Sequence, residues 1–121
     1  MGSLQNHYSA CRKILCLAAK RRETITYAGL ASKLGLKSPR QEWSTVLGPI
    51  SIDEVQKTGR DLTLVVVYAS GPAKGLSRYF SNVRGGQASQ TAMLDPRDSQ
   101  QVDAYKQELE KVFNAYANAN C

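Results

Sequence analysis

Residues 24–59 read TITYAGLASKLGLKSPRQEWSTVLGPISIDEVQKTG, and this stretch decides the fold. It predicts two capped helices joined by a glycine turn. The Thr26 hydroxyl is placed to cap the free backbone N–H groups of a helix over 27–34, and Gly35 ends that helix in a left-handed conformation. Ser38, Pro39 and Gln41 offer an N-cap, a proline at the first helical position and a capping-box partner for a second helix over 39–58. Trp43, Val46, Leu47 and Ile50 recur there at helical spacing and face the core. Arg40, Gln41, Ser44 and Thr45 are left as the polar face of its leading end. Pro49 falls inside the pattern, so a kink is expected there before Gly59 ends the helix.

Outward from this pair, residues 4–21 carry Leu4, Tyr8, Cys11, Ile14, Leu15 and Ala18 at spacings of three and four, an amphipathic helix that Ser3 can cap. The short segment 23–26 suits a small strand. On the other side, DLTLVVVYAS at 61–70 is the clearest strand, apolar on both faces and therefore central. SGPAKG is a turn, and GLSRYFSNV can return as a partner, giving a β-hairpin over 61–83 with Lys74 at a wing-like tip. Residues 84–94 read as a loop. Asp95 and Pro96 then start a C-terminal helix over 96–117, whose stripe of Val102, Tyr105, Leu109, Val112, Phe113 and Tyr116 covers the core or forms a dimer seam. The expected fold is α+β: one mainly helical, winged-helix-like domain over 1–121.

Composition narrows the function. Residues 1–94 hold 13 Lys and Arg against 5 Asp and Glu, while residues 95–121 hold 3 against 5, so the positive field belongs to the body of the chain. That favours an anionic partner, nucleic acid first. No apolar run approaches the roughly 18 residues of a membrane span. The three cysteines, Cys11, Cys16 and Cys121, are an odd number without metal-ligand spacing. They read as buried thiols in a reducing, cytoplasmic setting, and Cys11 and Cys16 lie on different helix faces. With His7 as the single histidine, no phosphate loop, and Asp53 and Glu54 adjacent in sequence, the inventory suggests neither an enzyme nor a cofactor or metal site.

A helix, a short turn and a second helix place that second helix in the DNA major groove. Arg40 and Gln41 have the groups that read guanine and adenine, and Ser38, Ser44 and Thr45 can meet base edges or phosphates. Lys33, Lys37, Lys74 and Arg78 are the candidate phosphate anchors. Simple solvation accounts for each of these charges taken singly; their arrangement is what suggests a partner.

Residues 22–79 resemble in pattern the winged-helix DNA-binding domain of the O6-alkylguanine-DNA alkyltransferases and alkyltransferase-like proteins, over about half the chain. ITYAGLASKLGL is similar to that family's TTYGQIA-type segment, and a second helix, a strand and a glycine-containing hairpin follow. The resemblance implies an arginine of the second helix that enters DNA, for which Arg40 is the nearest residue. The family's PCHR or PWHR motif is missing, because this chain runs RDLTLVVVYASG at that point, so alkyl transfer does not carry over. The resulting expectation is a non-catalytic duplex-DNA-binding protein. The alternative is a protein-interaction module, an adaptor or inhibitor such as a mobile-element accessory protein, that pairs with itself or a partner through the C-terminal helix.

Overall fold

The structure, a computed structural model, describes residues 4–77, 80–81, 83–90 and 94–121. A 3₁₀ turn at Leu4–His7 leads into helix α1 (Tyr8–Lys20), which buries Cys11, Leu15, Cys16 and Ala19, the face set by its apolar spacing. The Ser3 cap proposed for this helix lies outside the described residues. Strand β1 (Ile25–Thr26) follows, then helix α2 (Tyr27–Lys33), whose N-cap is Thr26, its hydroxyl accepting from the Gly29 N–H at 3.0 Å. Gly35 has φ +73°, and the Leu36 N–H donates to the Ala31 carbonyl at 2.9 Å. Both ends of this helix therefore fall where their residues predict.

The second helix does not start at Pro39. Helix α3 covers Ser44–Thr58, and the connection over 34–43 is extended and turned, so no short glycine turn joins α2 to α3. The expected residues do interact, but they close a local turn instead of a helix end. Ser38 Oγ accepts from the Arg40 N–H at 3.0 Å, and Gln41 Nε2 donates to the Ser38 carbonyl at 2.9 Å. The Trp43 indole N–H donates to the Pro39 carbonyl at 2.9 Å. Such side-chain bonds offer the backbone an alternative to the helical ladder, and proline disfavours a helical residue before it. Helix α3 runs through Pro49 to Thr58 and is closed by Gly59 at φ +77°.

The predicted strand at 61–70 is central, with Leu62, Thr63, Leu64, Val65, Val66 and Val67 all buried, but little of it is extended. Asp61 accepts from the Thr63 N–H at 3.0 Å and caps a 3₁₀ turn over Leu62–Val65. Strand β2 is Val66–Val67 alone, and it pairs in parallel with β1 in the register Ile25↔Val66 and Thr26↔Val67. A parallel pair needs a crossover, and α2 with α3 supplies it. Residues 61–83 are thus not one hairpin. The chain turns tightly after β2, with the Tyr68 N–H bonded to the Leu76 carbonyl at 3.1 Å and the Gly75 N–H to the Tyr68 carbonyl at 2.9 Å.

The antiparallel pair lies further on, between β3 (Phe80–Ser81), inside the expected return strand, and β4 (Ser89–Gln90), inside the region expected to be a loop over 84–94. It packs closely on α3: a Cβ placed on Gly48 would stand 3.1 Å from that of Ala88. Helix α4 (Ser99–Tyr116) starts one turn later than expected, because Asp98, not Asp95, is its N-cap, accepting from the N–H groups of Gln100 at 3.0 Å and Gln101 at 3.3 Å. Asp95 instead caps the preceding turn, accepting from the Arg97 N–H at 2.9 Å. Tyr105, Val112, Phe113 and Tyr116 of α4 are buried in the core, and Val102 and Leu109 of the same apolar stripe are half-buried against it.

Two of the three cysteines are not thiols. Cys16 of α1 and Cys121 form a disulfide with a Cα–Cα separation of 5.9 Å, and Cys11 is left free and buried. Disulfides persist in oxidising surroundings, so the cysteine argument for a cytoplasmic setting falls away. No described helix is long and apolar enough to cross a membrane.

Candidate functional site

Among the described residues, three of the four half-exposed aromatic rings meet where the 34–43 connection faces the turn after β2. There Tyr27, Trp43, Tyr68 and Phe80 line a cleft of about 430 Å³, together with Pro39, Gln41, Glu42, Ser44 and Leu47. Each ring is brought by a different segment. Tyr27 opens α2, Trp43 stands before α3, Tyr68 ends the β1–β2 layer and Phe80 belongs to β3. Tyr27 sits between two of the others, with centroids 5.8 Å from Trp43 and 5.2 Å from Tyr68 at interplanar angles of 49° and 45°. These tilted contacts fall in the favourable aromatic range. The indole bond to Pro39 fixes Trp43, which is only 8% exposed and forms the floor of the cleft.

The sequence-predicted residues divide around this cleft. Gln41 and Ser44 line it. Lys37, Ser38 and Arg40 belong to the connection that forms one wall, Lys37 and Arg40 exposed, and Lys74 is exposed on the turn that carries Tyr68. Thr45, one residue into α3, has its hydroxyl bonded to the Glu42 carbonyl at 2.8 Å and borders a neighbouring recess with Gln41 and Glu42. Lys33 is not brought to the same place: it lines a separate recess with Arg21, Glu23 and Ile25. Arg78 lies outside the described residues. Arg40 and Gln41 precede α3 and so are not presented by a helix.

The cations differ in their partners. Arg12, Arg22, Arg60, Arg97 and Lys111 each pair with a carboxylate, and Arg22 also covers the Phe113 ring at 5.2 Å. Among the described residues, Lys33, Lys37, Arg40 and Lys74 pair with none, and neither do Lys13, Lys20, Arg21, Lys57 and Lys106 elsewhere on the surface. Glu42 is the one acid among the lining residues of the aromatic cleft and has no cationic partner among the described residues.

A second polar cluster joins α1, α3 and α4. Glu54 is buried and receives Arg12 on both oxygens, at 3.0 and 3.1 Å, and the Tyr116 hydroxyl on one of them. Burial pushes the Glu54 carboxyl up, but the bonds from Arg12 and Tyr116 outweigh it and hold the group below its ordinary range. Tyr8 donates to Asp53 next to this pair, and burial followed by that bond raises the Tyr8 phenol well above its usual value. Every member has a partner, so the cluster is a fastening between helices. The spacing of Asp53 and Glu54 correctly separates their faces, but nothing local marks Arg12 or Tyr116 as partners.

The aromatic cleft is also absent from local pattern. Tyr27 and Trp43 occupy apolar positions that fit a core equally well, and Tyr68 and Phe80 join them only after the chain folds. Among the described residues, no group of three or more His, Cys, Asp and Glu could hold a metal ion. No protein-family model, curated protein or solved structure matches the chain.

Proposed function

We propose that this chain is a non-catalytic nucleic-acid-binding protein that engages duplex DNA through its phosphate backbone. The observation that carries the proposal is where unpaired cations border the cleft: Arg12, Arg22 and Arg60 pair with carboxylates of α3 and α4, while Lys37, Arg40 and Lys74, three of the nine described cations without a carboxylate partner, stand exposed on the two segments that border the aromatic cleft. Cations held this way meet phosphates without first breaking an internal pair. In this reading Ser44, at the first turn of α3, adds a hydroxyl beside them, and the turn over 71–75, which carries Lys74, acts as the wing of a winged-helix-like domain. Lys33 contributes long-range attraction from its separate recess.

The test is a mobility-shift titration with random duplex across a range of salt. Log K is expected to fall linearly with log salt, by about 0.9 per phosphate neutralised. Arg40→Ala and Lys37→Ala each lower affinity evenly across sequences and reduce the slope by about 1. No affinity for duplex at low salt rejects the proposal.

A further inference from the structure

We infer that the aromatic cleft receives the unpaired bases of a single nucleic-acid strand, an inference that rests on the proposed nucleic-acid reading and names the form of the ligand. The described aromatic residues fall into distinct groups. Tyr105, Phe113 and Tyr116 are 2, 8 and 2% exposed inside the core. Tyr8 is engaged by Asp53. Tyr27, Tyr68 and Phe80 remain half-exposed, and all three gather in one concave site over the Trp43 floor.

A cleft of about 430 Å³ lies within the roughly 300–1,000 Å³ of small-ligand sites, a volume that holds flat rings and not the body of a duplex. Partly exposed rings beside unpaired cations are the parts that hold single strands, whose bases stack on aromatic faces while the backbone follows positive charge. Charge orients the strand. Glu42 sits among the lining residues and repels phosphate, whereas Lys37, Arg40 and Lys74 lie on the bordering segments. The bases therefore enter and the backbone stays at the rim. Duplex DNA, whose bases are stacked and paired, has nothing to offer the cleft and is held by the rim cations alone.

The test uses the full chain, whose single tryptophan is Trp43 at the base of the cleft. Its fluorescence is titrated with a short mixed-sequence DNA strand, the RNA strand of the same sequence, and the DNA duplex. Tighter binding of a single strand than of the duplex, with quenching of Trp43, is expected. Whichever sugar binds better identifies the strand as DNA or RNA, and equal binding assigns recognition to the bases. Tyr68→Ala is expected to weaken the single strand by about tenfold or more, from the roughly 1–3 kcal/mol of one base–aromatic stack, and to leave duplex affinity unchanged. Tyr68→Phe keeps the ring and retains single-strand affinity, and a circular-dichroism melt confirms that both variants are folded. Duplex binding with no single-strand preference, or equal loss of both ligands in Tyr68→Ala, overturns the inference and leaves the broader reading standing. Single-strand binding without duplex binding supports the inference and rejects the duplex proposal. Absence of binding to all three ligands rejects both.

Discussion

The Arg12–Glu54 pair shows how much one residue can carry. Glu54 is 1% exposed, so its charge is tolerated only because Arg12 and Tyr116 bond to it. Removing one partner of a buried pair leaves an uncompensated charge, and Arg12→Ala is expected to cost about 3–5 kcal/mol in urea unfolding. Exchanging both for apolar residues of similar volume, Arg12→Met with Glu54→Met, costs far less, because no buried charge is left alone. Since the folded pKa of Glu54 lies below its ordinary 4.5, its contribution is complete above that value and is lost as pH falls through the folded pKa. Unfolding free energy measured from pH 7 down to pH 3 should therefore fall, and Glu54→Gln should flatten the decline. Cys11 obeys the opposite rule for an acid with no partner: burial pushes its thiol up to about 12, so native protein resists alkylation at pH 8.

At the scale of elements, helix ends were legible where one side chain and one backbone conformation decide them. Thr26, Gly35 and Gly59 act where their chemistry predicts. The start of α4 shows the limit, since Asp95 and Asp98 both fit an N-cap and only Asp98 serves. Asp98→Ala should lower stability by about 1 kcal/mol, while Asp95→Ala should have a smaller effect. Ser38, Pro39 and Gln41 mark a further limit: the signature of a helix start is satisfied just as well by a turn, which the Trp43 indole N–H closes on the Pro39 carbonyl. The disulfide from α1 to Cys121 was illegible because its partners stand 105 residues apart. A loop of that size constrains the unfolded chain by about 4.7 kcal/mol in the chain-entropy account. Reduction is expected to lower the urea midpoint markedly. Unfolded, unreduced protein should titrate one thiol, that of Cys11; three would refute the bridge.

At the scale of the molecule, the pairing of β1 with β2 brings the aromatic cleft together. Joining Ile25 to Val66 sets Tyr27 beside Tyr68, and the route of the crossover carries the 34–43 connection back over them. The apolar run at 61–70 predicts a central element, and that much follows from composition, since six consecutive residues there are buried. The continuous apolar run favours a parallel neighbour, as observed, but the partner does not follow, because nothing local to 61–70 points to Ile25 and Thr26.

The sequence by itself determined the helical periodicity of α1 and α4, both ends of α2, the closing glycine of α3, the centrality of 61–70 and the basic character of the body. Each rests on residues within a few positions of one another, where backbone preference and side-chain spacing suffice. The parallel pairing, the buried carboxylate and its arginine, the disulfide and the aromatic cleft came from the folded chain alone. All of these join residues far apart in the chain, and their contacts form only once packing has fixed which elements are neighbours.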